Sequence, residues 1–273
     1  MKRILLVMMI ISSGILANTA QAGNWEIAAQ AWTFHKFTLT ETLEKMEQLD
    51  IRYIELFPKQ KFSPTDDRTT HFSMSEEQRE YLKTLLKKHK IKVTSYGVIS
   101  PQKEEEWKQL FEFAKAMGIK TIVSEPKQEL LPMIDKLCVK YKIRVALHNH
   151  PDPTRYWDPE IVLKALEGRS EYMGACTDVG HWTRSGLDAT ECLKKLEGKI
   201  FEIHMKDVNK TTTEGHAVVW GEGVIDWTKV FGELKRQNFK GKFVIEHEYN
   251  WTKPVPDLKK NLEFFSTATK AIK

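Results

Sequence analysis

Cysteine is scarce in this 273-residue chain, with copies only at Cys138, Cys176 and Cys192. No two stand in a C-x-x-C spacing, which removes the usual cysteine-zinc and thioredoxin-like signatures, and an odd number leaves at least one thiol without an intramolecular partner. They read as small buried apolar residues, with one bridging pair left open. Glycine (14) and proline (10) never gather into a linker, so nothing divides the chain into separate domains. No G-x-G-x-x-G opens the first helix and no G-x-x-x-x-G-K-[ST] occurs, which excludes the commonest dinucleotide and nucleotide cradles. Basic and acidic residues are close to balance, 42 against 37, and neither sign forms a long block, so nucleic acid is not implied as a partner.

What is present begins with a leader. Lys2 and Arg3, an apolar stretch from Ile4 to Leu16 and the small-x-small end Ala20-Gln21-Ala22 predict a secretory signal peptide over residues 1–22, cleaved near Ala22, and hence a periplasmic or secreted protein. The apolar stretch is short for a bilayer, and no later run reaches the required length of about 18 residues, so no membrane span is expected in the mature chain. Residues 23–273 remain, which suits one α/β barrel of about 250 residues.

Along that segment strand-like and helix-like stretches alternate. Strands are predicted at 27–34, 53–57, 92–96, 121–124, 144–147, 173–177, 200–204 and 243–246, and helices at 40–49, 75–89, 103–117, 127–140, 159–166, 188–196, 227–236 and 256–271, with Thr40 as the cap of the first helix. Alternation of this kind implies parallel strands joined by helical crossovers. Eight such pairs favour a single-domain (β/α)8 TIM barrel over an open doubly wound sheet, which remains the alternative.

The strand ends carry the chemistry. His148 ends V-A-L-H-N-H, Asp178 and His181 sit in C-T-D-V-G-H, His204 in F-E-I-H-M-K-D and Glu246 in F-V-I-E-H. Each follows a short apolar run, and a parallel barrel brings strand ends to one mouth. Mixed carboxylate and imidazole ligands at His148, Asp178, His204 and Glu246 suit one divalent ion, Mn, Mg, Co or Zn, with imidazole disfavouring calcium.

D-V-G-H-W at 178–182, I-H-M-K-D at 203–207, W-G-E-G-x-I-D-W at 220–227 and V-I-E-H-E at 244–248 resemble the signatures of the xylose isomerase-like TIM barrel superfamily, the sugar phosphate isomerase/epimerase family. The resemblance implies a metal held by a carboxylate after the fifth strand, an Asp after the sixth, a His after the seventh and a Glu after the eighth. Asp178, His204 and Glu246 match the last three; His148 stands where many relatives carry Glu. A cation-bound histidine is a poor base, which counts against two-base epimerisation. The relatives that are apurinic endonucleases are set aside, because their implied three-metal cluster and polyanion grip are not matched here.

The expected catalytic residues are Glu246 as the base, His181 as a substrate contact with a structural reading open, and Lys206 as an oxyanion stabiliser, or else a solvated partner of Asp207. Glu55, Glu125, His150, Trp182, Arg184 and His216 are expected to contact substrate, with His35 as a further lining residue, whereas Trp25, Trp107 and Trp227 read as packing residues. The leading expectation is a metal-dependent isomerase or epimerase of a keto sugar acting through an enediolate. A lyase or hydratase of keto sugars or 3-keto-glycosides, using the same metal and base, is the alternative, and a non-catalytic sugar-binding barrel a third. The partner is a small sugar or glycoside; the oligomeric state is left open, a homo-oligomer included.

Overall fold

The computed structural model describes residues 25–272; the leader expected over residues 1–22 lies outside them. Eight strands, β1 (Ile27–Gln30), β2 (Tyr53–Leu56), β3 (Lys92–Tyr96), β4 (Thr121–Ser124), β5 (Arg144–His148), β6 (Met173–Asp178), β7 (Ile200–Met205) and β8 (Lys242–Ile245), close in the order β1-β8-β7-β6-β5-β4-β3-β2. Every pairing is parallel. Around them run α1 (Leu39–Gln48), α2 (Glu76–Lys88), α3 (Glu104–Met117), α4 (Leu131–Tyr141), α5 (Pro159–Leu166), α6 (Val179–Arg184), α7 (Ala189–Lys195), α8 (Trp227–Arg236) and α9 (Val255–Ala271). The fold is the expected closed (β/α)8 barrel.

Local chemistry explains most boundaries. Ser75 and Gln78 form a capping box at the start of α2, with Glu76 and Glu77 in the first turn and Lys87 and Lys88 in the last, which satisfies the helix's free amides and complements its dipole. Gly118 ends α3 at φ 71°, a left-handed conformation that costs glycine little. Several boundaries shift by one to four residues, and at two of them the cause is visible. The first strand stops at Gln30, because its side-chain oxygen accepts from the Trp32 amide at 2.9 Å and turns Ala31–Phe34 into a 3-10 helix. The cap of α1 is Thr38, whose hydroxyl and amide both bond Glu41, and Thr40 lies inside the helix.

The sequence pattern also passed over α6 and two short hairpins, Lys61–Ser63 with Asp66–Thr69 after β2 and Asp207–Val208 with Ala217–Val218 after β7. Trp107 and Trp227 are buried in the layer between barrel and helices, and half-buried Trp25 packs on Phe243 at 4.7 Å. All three cysteines are free and buried. Among the described residues no helix is long and apolar enough to cross a membrane.

Candidate metal centre and active site

Register assembles the site. Asp178 pairs with His204 across β6 and β7, Val244 pairs with His204 across β7 and β8, and His148 pairs with Cys176 across β5 and β6. His148, Asp178 and His204 therefore end adjacent strands, and Glu246 follows Ile245 at the end of the next. One ligand atom from each of the four lies within 4.8 Å of the others, and all four residues are buried.

Carboxylates orient both imidazoles from behind. His148 Nδ1 donates to Glu125 Oε1 at 2.9 Å, which turns its Nε2 inward, where it has no hydrogen-bond partner. His204 Nε2 donates to Glu55 Oε2 at 2.8 Å, and its Nδ1 lies 3.0 Å from Glu246 Oε2. Histidine ligands of metals are commonly held this way, with a carboxylate fixing tautomer and ring angle. Two inward imidazole nitrogens and two carboxylates, one nitrogen unpartnered and fully enclosed, fit a divalent cation.

Charge balance among these groups runs through Lys206. Its ammonium, fully buried, lies 3.0 Å from Asp178 Oδ2, 3.2 Å from Glu246 Oε2, 2.6 Å from Glu248 Oε2 and 3.0 Å from His181 Nε2. Burial opposes its charge, but Asp178, Glu246 and Glu248 outweigh burial and lift its pKa above the ordinary lysine value. Burial and then the neighbouring ammonium drive His181 well below the ordinary imidazole value, so it stays neutral. Burial beside Glu246 pushes Asp178 up to about 7 in spite of Lys206. Burial works against ionised Glu246 as well, yet Lys206 and His204 hold it well below the carboxylate range.

A second pair opens beside this cluster. Glu125 Oε1 bonds His150 Nδ1 as well as His148, and the His150 side chain is 42% exposed. Burial raises Glu125, but the bonds from both histidines outweigh it and hold the carboxyl at about 2. Burial likewise opposes charge on His150, yet the bond to Glu125 prevails and its pKa is raised. The imidazoles of His150 and His181 are 4.9 Å apart.

The expected residues thus divide. His148, Asp178, His204, Glu246, His181, Lys206, Glu125 and His150 converge. Glu55 does not reach the open space: it is completely buried, with Oε1 accepting from Gln30 and Oε2 from His204, so the expectation of a substrate contact is corrected to a brace behind a ligand. Glu125 is corrected in the same direction, since its carboxylate is engaged by both histidines. Trp182 is fully buried in the hydrophobic core and presents no face to a ligand. Arg184, the last residue of α6, donates to the Thr213 carbonyl at 2.8 Å, and exposed His216, in the hairpin loop after β7, stacks on Tyr249 at 4.8 Å; neither side chain is held in the cluster.

Three participants escaped the sequence pattern. Asn149 clips β5 to β6 by accepting from the Asp178 amide at 2.8 Å and donating to its carbonyl at 3.0 Å. Glu248 follows Glu246 by two positions and so returns to the same side, a spacing visible in V-I-E-H-E. Asp207 does not pair with Lys206 but accepts from Gly221, Gly223 and Trp227 Nε1 at 2.8, 3.2 and 2.8 Å, folding the W-G-E-G-x-I-D-W segment around one carboxylate.

The model of the xylose isomerase-like TIM barrel family matches residues 43–268. The chain belongs to that family. An inosose dehydratase of Clostridium perfringens is 26% identical over 187 residues, 62% of this chain and 55% of that protein; the chain thus spans about half the length of this curated relative. Among solved structures, an uncharacterized protein of Parabacteroides distasonis is 36% identical, with a TM-score of 0.72 over 88% of this chain and 97% of that one. The zinc-bound IOLI protein shares the fold at a TM-score of 0.67, with 18% identity over 90% of this chain and 98% of that one.

Proposed function

We propose that this family member is an exported, divalent-metal-dependent lyase of the dehydratase type, which eliminates water or an alcohol from a keto sugar. The observation that carries the reading is the geometry at the end of β5: His148 turns an unpartnered Nε2 into a set of four buried ligand groups, while His150, two residues on, stands half-exposed with Glu125 behind it. The dehydratase relative supports the choice of reaction, the zinc-bound relative the choice of a divalent ion, and the basic, apolar, small-x-small leader the placement outside the cytoplasm.

His148, Asp178, His204 and Glu246 would hold the ion. When bound, it would supply positive charge against the substrate oxygen that becomes an enolate. His150 takes the proton from the carbon next to the carbonyl, because it combines access with a carboxylate that orients its ring, the arrangement a general base requires. Glu246, the base expected from sequence, is held by His204 and Lys206 and remains a ligand. Lys206 keeps its proton and, enclosed with Asp178, Glu246 and Glu248, favours the developing oxyanion through its field rather than by contact, and neutral His181 fixes the ammonium's position. Loss of the β-oxygen substituent, which carries away a proton, completes the elimination.

An isomerase or epimerase is the second reading. Replacement of the usual carboxylate by His148 leaves one exposed base rather than bases on two faces, which favours elimination. Product mass decides between them: incubation with an inosose or a 3-keto-glycoside should give a product lighter by water or by the alcohol, and His150→Ala should lower turnover at least 100-fold while retaining metal. A product of unchanged mass would establish the isomerase instead.

A further inference from the structure

A wall of aromatic rings stands on the rim beside the candidate centre. Trp32, in the turn after β1, stacks on His35 with centroids 4.4 Å apart and meets the Phe57 ring, just after β2, edge-on at 4.8 Å. Trp251, five residues beyond Glu246 in the loop after β8, closes the other side, 4.2 Å from His35 and 6.4 Å from Trp32. All four rings are partly exposed. They come from three neighbouring strand ends, β8, β1 and β2, at the mouth that holds Glu246. Gln30 ties the two places together, since its Oε1 fixes the Trp32 amide while its Nε2 braces Glu55 behind His204.

Phe57 continues into a cavity of about 430 Å³ between the ends of β2 and β3. Its apolar walls include Phe57, Phe72 and Ile99, and its polar groups His71, Ser100 and Gln102. That volume falls within the range of about 300–1,000 Å³ typical of small-molecule sites. Apolar ring faces left partly open to water mark a surface built for contact, and mixed aromatic and polar lining suits a ring that stacks on one face and hydrogen-bonds at its edge.

We propose that this wall and cavity form a leaving-group subsite, which holds a second ring, sugar or aryl, carried on the keto sugar, so that the substrate is a keto-glycoside rather than a free keto sugar. The inference deepens the elimination reading and rests on it for the word "leaving". In that step the bond from hydrogen to the carbon next to the carbonyl breaks, a carbon–carbon double bond forms, the carbon–oxygen bond to the ring-bearing group breaks, and the departing oxygen takes up a proton. The ring then leaves as an alcohol or phenol.

Binding probes without the ketone test the subsite apart from the chemistry. Calorimetric titration of the mature protein should find phenyl β-D-glucopyranoside bound at least tenfold tighter than methyl β-D-glucopyranoside, and Trp251→Ala and Phe57→Leu should each cut that advantage below threefold. Equal affinity for the two probes, or an advantage that survives both substitutions, overturns the proposal. Trp251 is only partly buried and Phe57→Leu preserves bulk, so matching thermal melts will show that both variants fold. A phenyl advantage without mass loss from a 3-keto-glycoside would sustain the subsite and refute the lyase.

Discussion

Lys206 poses the sharpest question at the scale of one residue, because an ammonium buried against Asp178 and Glu246 sits among groups that would hold a cation. Both charges are compatible if the carboxylates exceed one positive charge, and Asp178, Glu246 and Glu248 supply that excess. Lys206 would then oppose the metal electrostatically, while under the proposed mechanism its charge favours the substrate oxyanion. Lys206→Met removes the charge and keeps most of the side chain's length. Metal affinity, measured by titration calorimetry, should stay equal or rise, whereas turnover should fall at least 100-fold; a variant that loses the metal would instead make Lys206 a structural keystone. The convergence of His148, Asp178, His204 and Glu246 was legible in the sequence because each ends a strand-like run. The depth of Glu55 was not, since alternation tells which face of a strand a side chain occupies and not how far below the rim it lies. The His150–Glu125 pair was equally hidden, because 25 residues separate partners that meet only when β4 and β5 align.

At the scale of elements, two contacts hold the loops that frame the centre. Gly180 lets α6 lie against the end of β7: a Cβ there would stand 2.7 Å from the Lys206 carbonyl oxygen and 2.8 Å from its Cβ, closer than packed atoms tolerate. Gly180→Ala should therefore separate α6 from β7, disturb Asp178 and Lys206 together, and reduce turnover more than tenfold with a lowered melting temperature. Asp207 gathers the 220–227 segment through backbone and indole donors. Asp207→Ala strands the buried Trp227 indole at about 1–3 kcal/mol and releases the partly buried Gly221 and Gly223 amides, which water can satisfy in part, so the expected loss is about 2–4 kcal/mol, measurable as a shifted urea midpoint. Asp207→Asn, which keeps one acceptor oxygen, should lose less. Helix ends were readable where caps announce them, as at Ser75, and misread at Thr38 because Thr40 offers the same chemistry two residues later. The hairpin after β7 left no periodic pattern, since its strands are two residues long and Asp207, rather than an apolar face, organises the surrounding segment.

For the whole molecule, the candidate centre joins four strands that otherwise meet only through the barrel's hydrogen bonds and core. A cation held by β5, β6, β7 and the end of β8 would bind the native state and not the unfolded chain, because ligands separated by as many as 98 positions come together only in the fold. Binding must then stabilise the protein by mass action: free ion at a hundred times its dissociation constant adds about 2.7 kcal/mol. For a domain of this size, with about 2–4 °C of melting temperature per kcal/mol, the expected rise is about 5–10 °C, reversed by a chelator. Differential scanning calorimetry of residues 23–273 with Mn, Mg, Co and Zn in turn should single out the ion that fits, and His148→Ala combined with Asp178→Asn should abolish the rise. A melting temperature indifferent to all four ions would dissolve the metal centre, because four groups converging on one ion in the native state cannot bind it tightly without shifting the folding equilibrium.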